Sequence, residues 1–301
     1  MNLISGLQPL RFLLALAGIL LLTSSPPAQA DATAGTLDRI RRDGVLRLGY
    51  GTTPPFSYRD ADGNVTGYSV EICKLVAEDL KRQLGLDALD IVYVPRTPID
   101  RVQLLNEGEY DLECEASTNT EERRRSAAFA LSHFFTATRF VSLAKNGLHR
   151  IDDLRGHSIA AALGTVNIAQ IGRINRERRL QLSLIPVESL QQAFDMVTTG
   201  RASAFVMDDI LLEAMIRETG QPALYTVSDD TVSAMLPYGF MMRKDDTPFH
   251  AAVNAALGRI YATPQIDQLY DRWFRNTLPG LAFGLDIPMS RELTDYFAMF
   301  R

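Results

Sequence analysis

The stretch of sequence that decides the fold is residues 45–85, VLRLGYGTTPPFSYRDADGNVTGYSVEICKLVAEDLKRQLG. It begins with the apolar strand VLRLG, and a hairpin is predicted next because the turn pair Asp62-Gly63 separates two short strand-like runs. In residues 71–84 the apolar side chains recur at helical spacing, and Gly85 stands where a helix C-cap belongs. The strand and the helix begin an alternation that predicts an α/β fold.

The alternation of strand and helix continues along the chain. Strands are predicted at residues 91–94 and 111–114, with a short helix at 101–106 between them. A second cycle is predicted in the order strand 158–162, helix 168–175, strand 182–186, helix 190–198, strand 202–207 and helix 210–218. Because each helix would connect neighbouring parallel strands, the sequence predicts two lobes, each a mainly parallel sheet flanked by helices.

Two extended apolar segments lie outside these cycles, at residues 138–144 and 239–243, and neither contains turn residues of its own. We interpret them as two hinge strands that cross between the lobes. The first lobe is then discontinuous, made from residues 31–137 plus 239–301, and the second lobe, residues 138–238, is inserted into it. A cleft between hinged lobes is a preferred site for a small ligand.

Residues 1–30 have the features of a secretory signal peptide. Arg11 precedes an apolar run at residues 12–22, and the small-x-small sequence Ala28-Gln29-Ala30 suits a signal peptidase. The run is shorter than the ~20 residues that a membrane-spanning helix needs, which favours cleavage after Ala30 over an uncleaved anchor. We therefore expect a mature protein outside the cytoplasm.

The composition is that of a folded globular protein. Of the 301 residues 46% are hydrophobic and 22% are charged, which provides enough apolar mass for a core. The formal net charge is −5, and it becomes −6 without the first 30 residues, in which the only charged residue is an arginine. This acidic balance disfavours nucleic acid as a partner.

The chain contains two cysteines, Cys73 and Cys114, which cannot form a disulfide framework. Cys73 falls in the helix predicted at residues 71–84, and Cys114 falls at a predicted strand end. Two buried thiols are the favoured interpretation, and a single disulfide is the alternative.

A series of short motifs follows in a fixed order over most of the chain. They are PFSY at 55–58, GYS at 67–69, YDLEC at 110–114, STN at 117–119, ER at 122–123, GR at 200–201, DD at 208–209 and RKDD at 243–246. In this order they resemble the family 3 extracellular solute-binding proteins, the polar amino-acid receptors of ABC importers, and most of all the glutamate/aspartate-binding branch. The resemblance implies a monomeric, two-lobed periplasmic binding protein that delivers an amino acid to an inner-membrane ABC permease.

The resemblance also implies a clamp for an α-amino acid. Such a ligand presents a carboxylate and an ammonium group on one carbon, so its site needs a cation with fork geometry and an anion. Arg123 matches the family's carboxylate-binding arginine, and Asp208 matches its ammonium ligand. Thr118 and Thr165 would reach the carboxylate from opposite lobes, and a helix starting at residues 119–125 would add a favourable dipole.

Further residues are assigned to this site, and each has a structural alternative. Ser117 lies beside Thr118, Arg101 could hold a distal carboxylate, and Phe56 could line the side-chain pocket or belong to the core. From the residues alone, Arg123 could instead belong to a solvated face of charged residues. Asp208 could instead be a helix N-cap, as could Asp209.

The side-chain end of the site departs from the glutamate/aspartate pattern. That branch carries an arginine shortly before the PFSY run, which this chain lacks, and polar residues at the positions of Pro98, Ala116, Ala162 and Leu190. Since a buried second carboxylate needs several donors, we expect weaker or broader binding of acidic amino acids. Neutral polar or larger side chains are then competitors.

No sequence pattern indicates a cofactor, a metal site or catalysis. The four histidines lack metal-ligand spacing. The alternative function is that of an enzyme on the same scaffold, such as a cyclohexadienyl dehydratase, in which Glu113 or Glu115 would be the acid. Asp208 argues against it, because prephenate has two carboxylates and no ammonium group. A binding protein without enzymatic activity is the favoured interpretation.

Overall fold

The structure is a computed structural model that describes residues 35–301, so the predicted signal peptide lies outside the described residues. The first part of the chain forms, in order, α1 (Thr36–Asp43), β1 (Val45–Tyr50), β2 (Tyr58–Arg59), β3 (Val65–Thr66), α2 (Tyr68–Leu84), β4 (Asp90–Pro95), α3 (Arg101–Glu107), β5 (Leu112–Glu113) and β6 (Ala128–Thr136). Strands β4, β1 and β5 form a parallel sheet in that order, with β1 in the centre. Strands β2 and β3 form the predicted hairpin.

The second part of the chain forms a second sheet. Its elements are β7 (Thr138–Leu143), β8 (Ser158–Ala162), α4 (Asn167–Arg178), β9 (Ser183–Val187), α5 (Leu190–Thr198), β10 (Ala204–Asp208), α6 (Asp209–Glu218) and β11 (Tyr225–Val227). The strand order is β11-β7-β10-β8-β9. Strands β8, β9 and β10 are separated by helices and run parallel, whereas β7 and β11 join antiparallel. The two predicted α/β cycles are confirmed.

The last part of the chain returns to the first sheet's side of the molecule. It forms β12 (Leu236–Met242), α7 (Thr247–Tyr261), α8 (Gln265–Tyr270) and α9 (Arg291–Ala298). Helix α7 packs on α2 and β6, and Trp273 and Phe274, in a single π-helical turn after α8, are fully buried. Within the described residues, no helix is both long and apolar enough to cross a membrane.

The connection between the two sheets differs in detail from the prediction. The segment predicted to cross at residues 138–144 is β7, a strand of the second sheet that pairs with β10 and β11. Because it has a neighbouring strand on each side, most of its side chains are buried. The long ribbon is formed by β6 and β12, which pair antiparallel with a register irregularity at Gly239. The chain passes from β6 into β7 through the single residue Ala137.

Cys73 and Cys114 form a disulfide, so the interpretation as two free thiols is wrong. Their Cα atoms are 6.1 Å apart, which a disulfide can span. Spacing in the sequence did not reveal this proximity, since it depends on how α2 packs against the sheet. The bond closes a loop across 41 residues, which by the chain-entropy relation stabilises the fold by about 4 kcal/mol.

Candidate ligand-binding site

Two guanidinium groups of the first lobe converge on one backbone carbonyl of the second. The Nη2 atoms of Arg101 and Arg123 donate to the carbonyl oxygen of Gly164 at 2.6 Å and 3.1 Å. Their Nη1 atoms donate to the Ser117 hydroxyl at 3.0 Å and to the Thr118 carbonyl oxygen at 2.9 Å. All these acceptors are neutral, and within residues 35–301 neither guanidinium forms an ion pair. No carboxylate of the described residues therefore contacts this pair, although Glu113 acts electrostatically on both guanidiniums from a greater distance.

The electrostatics of the pair favour an anion between the lobes. Arg101 is buried and Arg123 is half-buried. Burial lowers the pKa of Arg101, and burial together with the nearby charge of Arg101 lowers the pKa of Arg123 to about 9. Both groups remain charged at neutral pH, and each destabilises the other. A carboxylate placed between them would relieve both the desolvation and the repulsion.

Backbone pairing positions the first-lobe residues of this site. Thr118 forms an isolated β-bridge with Tyr238 of β12, and the amide of Gly239 donates to the Ser117 carbonyl oxygen at 3.0 Å. Arg123 begins a single turn of 3-10 helix that ends at Arg125. The expectation of an α-helix starting at residues 119–125 is therefore wrong, and its dipole contributes nothing to anion binding. The chain enters β6 at Ala128, three residues after this turn ends.

Asp208 lies at the end of β10, on the opposite lobe from the arginines. Its Oδ1 accepts hydrogen bonds from Asn167 Nδ2 at 2.7 Å and Thr138 Oγ1 at 3.2 Å, and its Oδ2 accepts one from the Tyr238 hydroxyl. Burial raises the pKa of Asp208. Asp208 occupies the N-cap position of α6, but its side chain makes no capping hydrogen bond. The carboxylate is thus turned away from the helix.

The remaining predicted site residues occupy different surroundings. The half-buried Thr165 follows Gly164 and donates its hydroxyl to the Ala162 carbonyl oxygen at 2.7 Å. Phe56 is fully buried and lies edge-on to Tyr238, with ring centroids 5.4 Å apart. Four further aromatic rings surround it, which supports its alternative role in the core. Phe56 lies behind Tyr238, whose hydroxyl holds Asp208.

The lobes approach closely beside the two arginines. Gly164 has a φ of +72°, and a Cβ built on it would lie 2.2 Å from the Pro98 carbonyl oxygen. Next to this contact is a cavity of about 500 Å3, lined by residues of both lobes. Pro98 and Leu190, two positions that depart from the glutamate/aspartate pattern, are on its wall. The two arginines and Asp208 are not among the residues that line it, so the cavity adjoins the arginine pair without containing it.

Three residues of this region were not anticipated from the sequence. Tyr238 and Asn167 hold Asp208, and the Asn167 Oδ1 atom is buried without a hydrogen-bond partner in the described part of the chain. Arg96, at the cavity wall, lies between the side chains of Glu113 and Glu115. In the sequence, the position of Arg96 directly after the apolar strand β4 was the one feature that could have indicated its role. Among residues 35–301, no group of His, Cys, Asp or Glu side chains is arranged to hold a metal ion.

Comparison with known proteins agrees with this architecture. The sequence profile of the bacterial extracellular solute-binding proteins, family 3, matches residues 46–276. The chain belongs to this family. The resemblance carried by the ordered motifs is confirmed, together with the likeness to the glutamate/aspartate branch and the two-lobed fold.

Similar proteins include two named receptors from bacteria. The L-glutamate/L-aspartate-binding protein of Pseudomonas aeruginosa is 32% identical over 276 residues, which is 91% of each chain. The glutamate/aspartate import solute-binding protein of Escherichia coli is 29% identical over 295 residues, which is 96% of each chain. Among solved structures, an ancestral amino acid-binding protein described as a precursor of cyclohexadienyl dehydratase is 26% identical, with a TM-score of 0.68, and the match covers 79% of this chain and 99% of that one.

Proposed function

We propose that this protein is the periplasmic substrate-binding component of an amino-acid ABC importer and that it binds an α-amino acid between its lobes. The observation that carries the proposal is the convergence of Arg101 and Arg123, without any carboxylate partner within residues 35–301, opposite the buried carboxylate Asp208. The similarity to glutamate/aspartate receptors supports the same assignment. The lobes are residues 31–137 plus 239–301, and residues 138–238.

In this proposal the ligand carboxylate takes the place of the Gly164 carbonyl between the two arginines. Arg123 provides the forked contact, and the Ser117, Thr118 and Thr165 hydroxyls supplement it. The ligand ammonium donates to Asp208 and to the unpartnered Oδ1 of Asn167. Because these groups lie on different lobes, one ligand bridges them and stabilises the closed form. The loaded, monomeric receptor then delivers the amino acid to an inner-membrane permease.

The enzymatic alternative has less support. The acid proposed for a dehydratase was Glu113 or Glu115, and both carboxylates lie against Arg96 at 2.8 Å and 2.6 Å. Neither glutamate is on the wall of the cavity beside the clamp. A binding protein that releases its ligand unchanged accounts for the arrangement without an acid. No cofactor is part of this proposal.

A thermal-shift screen of residues 31–301 against the common amino acids and prephenate tests the assignment. A ligand at 100 times its dissociation constant stabilises the protein by ~2.7 kcal/mol, and we expect at least one amino acid, but not prephenate, to do so. With that amino acid, small-angle scattering should show a smaller radius of gyration. Stabilisation by prephenate alone would contradict the proposal.

The variant Gly164→Ala tests whether the cleft closes at the contact between Gly164 and Pro98. Its Cβ would clash with the Pro98 carbonyl oxygen, so we expect a reduced change in radius of gyration and weaker binding. If this variant closed and bound as the wild type does, the cleft would not close at Gly164.

A further inference from the structure

A buried cluster of three charged side chains lies beside the clamp and takes no part in it. Arg96 Nη2 is 2.8 Å from Glu113 Oε1 and 2.6 Å from Glu115 Oε2. The three residues are 6%, 0% and 3% exposed. The cluster has one cation for two carboxylates, so the charge of Arg96 is already balanced within the protein.

The hydrogen bonding of this cluster is incomplete. Within the described residues, Arg96 Nε and Nη2, both carboxylate oxygens of Glu113 and Glu115 Oε1 are buried and make no well-aligned hydrogen bond, although Arg96 Nη2 is at ion-pair distance from both glutamates. Buried polar atoms in folded proteins are nearly always paired, with protein, water or ligand. These atoms have almost no surface open to the cavity, so the cluster acts on a ligand through its charge and not through direct hydrogen bonds.

The cluster adjoins the cavity of about 500 Å3 through Arg96, whose side chain is on the cavity wall. Glu115 packs under the β1–β2 loop, because a Cβ on Gly51 would lie 2.8 Å from its Oε1, and the next residues of that loop also line the cavity. The other charged residues on the wall are Asp100, Glu188 and Glu218. All three are acidic, so the cavity has no cation left for a ligand carboxylate.

We propose that the Arg96–Glu113–Glu115 cluster makes the side-chain end of the site select a carboxamide over a second carboxylate. This inference rests on the proposed function, since it assumes that an α-amino acid occupies the clamp. With the ligand side chain in this cavity, a second carboxylate would face an acidic wall whose one cation, Arg96, already pairs with two glutamates, while Arg101 is engaged by the α-carboxylate. A carboxamide adds no charge to this end of the site, so it avoids the desolvation and repulsion that a second carboxylate would meet.

Isothermal titration of the mature protein with two isosteric pairs tests the inference. The pairs are glutamine with glutamate and asparagine with aspartate, and we expect the amide of the better-fitting pair to bind at least tenfold more tightly. Glu115→Gln removes one negative charge and keeps an oxygen for the Ala116 amide, which now donates to Glu115 Oε2 at 2.7 Å. In this variant the preference for the amide should shrink at least tenfold.

The matched control is Glu78→Gln, an exposed glutamate on α2 with the same change of charge. It should leave the amide-to-acid ratio within threefold of the wild type. If wild-type protein bound glutamate or aspartate more tightly than the amide, the inference would be overturned and the proposed function would stand. An unchanged ratio in a folded Glu115→Gln variant would also overturn it. If no amino acid bound at all, both proposals would fail.

Discussion

In the first lobe, Arg96 and the pair Arg101 and Arg123 lie beside the same cleft, and they differ in the groups that balance their positive charge. Arg96 lies within 3 Å of two buried carboxylates. Arg101 and Arg123 donate only to neutral oxygens, one of which belongs to the opposite lobe. Burial alone therefore does not identify an arginine that binds a ligand. The missing counter-charge identifies it.

This difference has opposite consequences for stability and for binding. Desolvating a guanidinium costs free energy that only a well-placed anion offsets. For Arg96 the protein provides that anion during folding, so its interactions contribute to the stability of the empty protein. For Arg101 and Arg123 we expect the ligand to provide it, so the same kind of interaction contributes to affinity and to closure.

The largest effect is expected from removing the balanced cation. Arg96→Met leaves Glu113 and Glu115 buried without a cation, and breaking a buried pair in this way costs roughly 3–5 kcal/mol. Urea denaturation of the ligand-free protein should show that loss in the free energy of unfolding. The triple variant Arg96→Met, Glu113→Gln, Glu115→Gln removes all three charges and should recover most of it. A single variant as stable as the wild type would contradict the balanced-charge description of Arg96.

The second-largest effect is expected on ligand affinity, and it distinguishes Arg123 from Arg96. Arg123→Ala should lower amino-acid affinity by about 3 kcal/mol, because it deletes a forked, charge-assisted contact to the ligand carboxylate. The free energy of unfolding of the empty protein should change little, since Arg123 has only neutral partners. Calorimetry gives the first quantity and urea denaturation the second.

The neighbouring Arg124 provides the control for this prediction. It is exposed and donates to Asn119 Oδ1 at 2.7 Å. Arg124→Ala should keep ligand affinity within threefold of the wild type. An Arg123→Ala variant that binds as well as Arg124→Ala would remove Arg123 from the site.

The sequence alone indicated the proposed binding role of Arg123 but not the structural role of Arg96. Local periodicity located strands and helices well: β8 has the predicted bounds 158–162, and α5 has the predicted bounds 190–198. Arg123 was found through a motif. The role of Arg96 was not, because it depends on β1 lying between β4 and β5, which brings Arg96 and Glu113 to the same edge of the sheet.

The errors have the same physical origin. The disulfide and the β6–β12 ribbon both depend on which elements pair in space, and spacing along the chain contains little of that information. The helix expected after residue 119 is only the 3-10 turn Arg123–Arg125, after which the chain enters β6 and pairs with the distant strand β12. Charge balance within the buried cluster is the property hardest to predict from the sequence, because Arg96 and the two glutamates come from segments that meet only when β4 and β5 flank β1.

The smallest effect on ligand affinity is expected at Asp208, the carboxylate on the lobe opposite Arg101 and Arg123. Asp208→Asn keeps the size of the side chain and removes its charge, so we expect about 2 kcal/mol weaker binding of an amino acid. Binding of its deaminated analogue should be nearly unchanged, because that ligand has no ammonium group. Calorimetry with both ligands makes the comparison, and equal losses for the two would contradict the ammonium role of Asp208.

The pH dependence gives an independent check of the same residue. Burial raises the pKa of Asp208 above that of an ordinary aspartate, so ionising it destabilises the empty folded protein as the pH rises through that value. Asp208→Asn should therefore leave the ligand-free protein at least as stable as the wild type at neutral pH. For amino-acid binding the sign is reversed, because the ligand ammonium requires the ionised carboxylate. Wild-type affinity should fall as the pH drops through the raised pKa of Asp208, whereas the affinity of the asparagine variant should stay nearly constant over the same range.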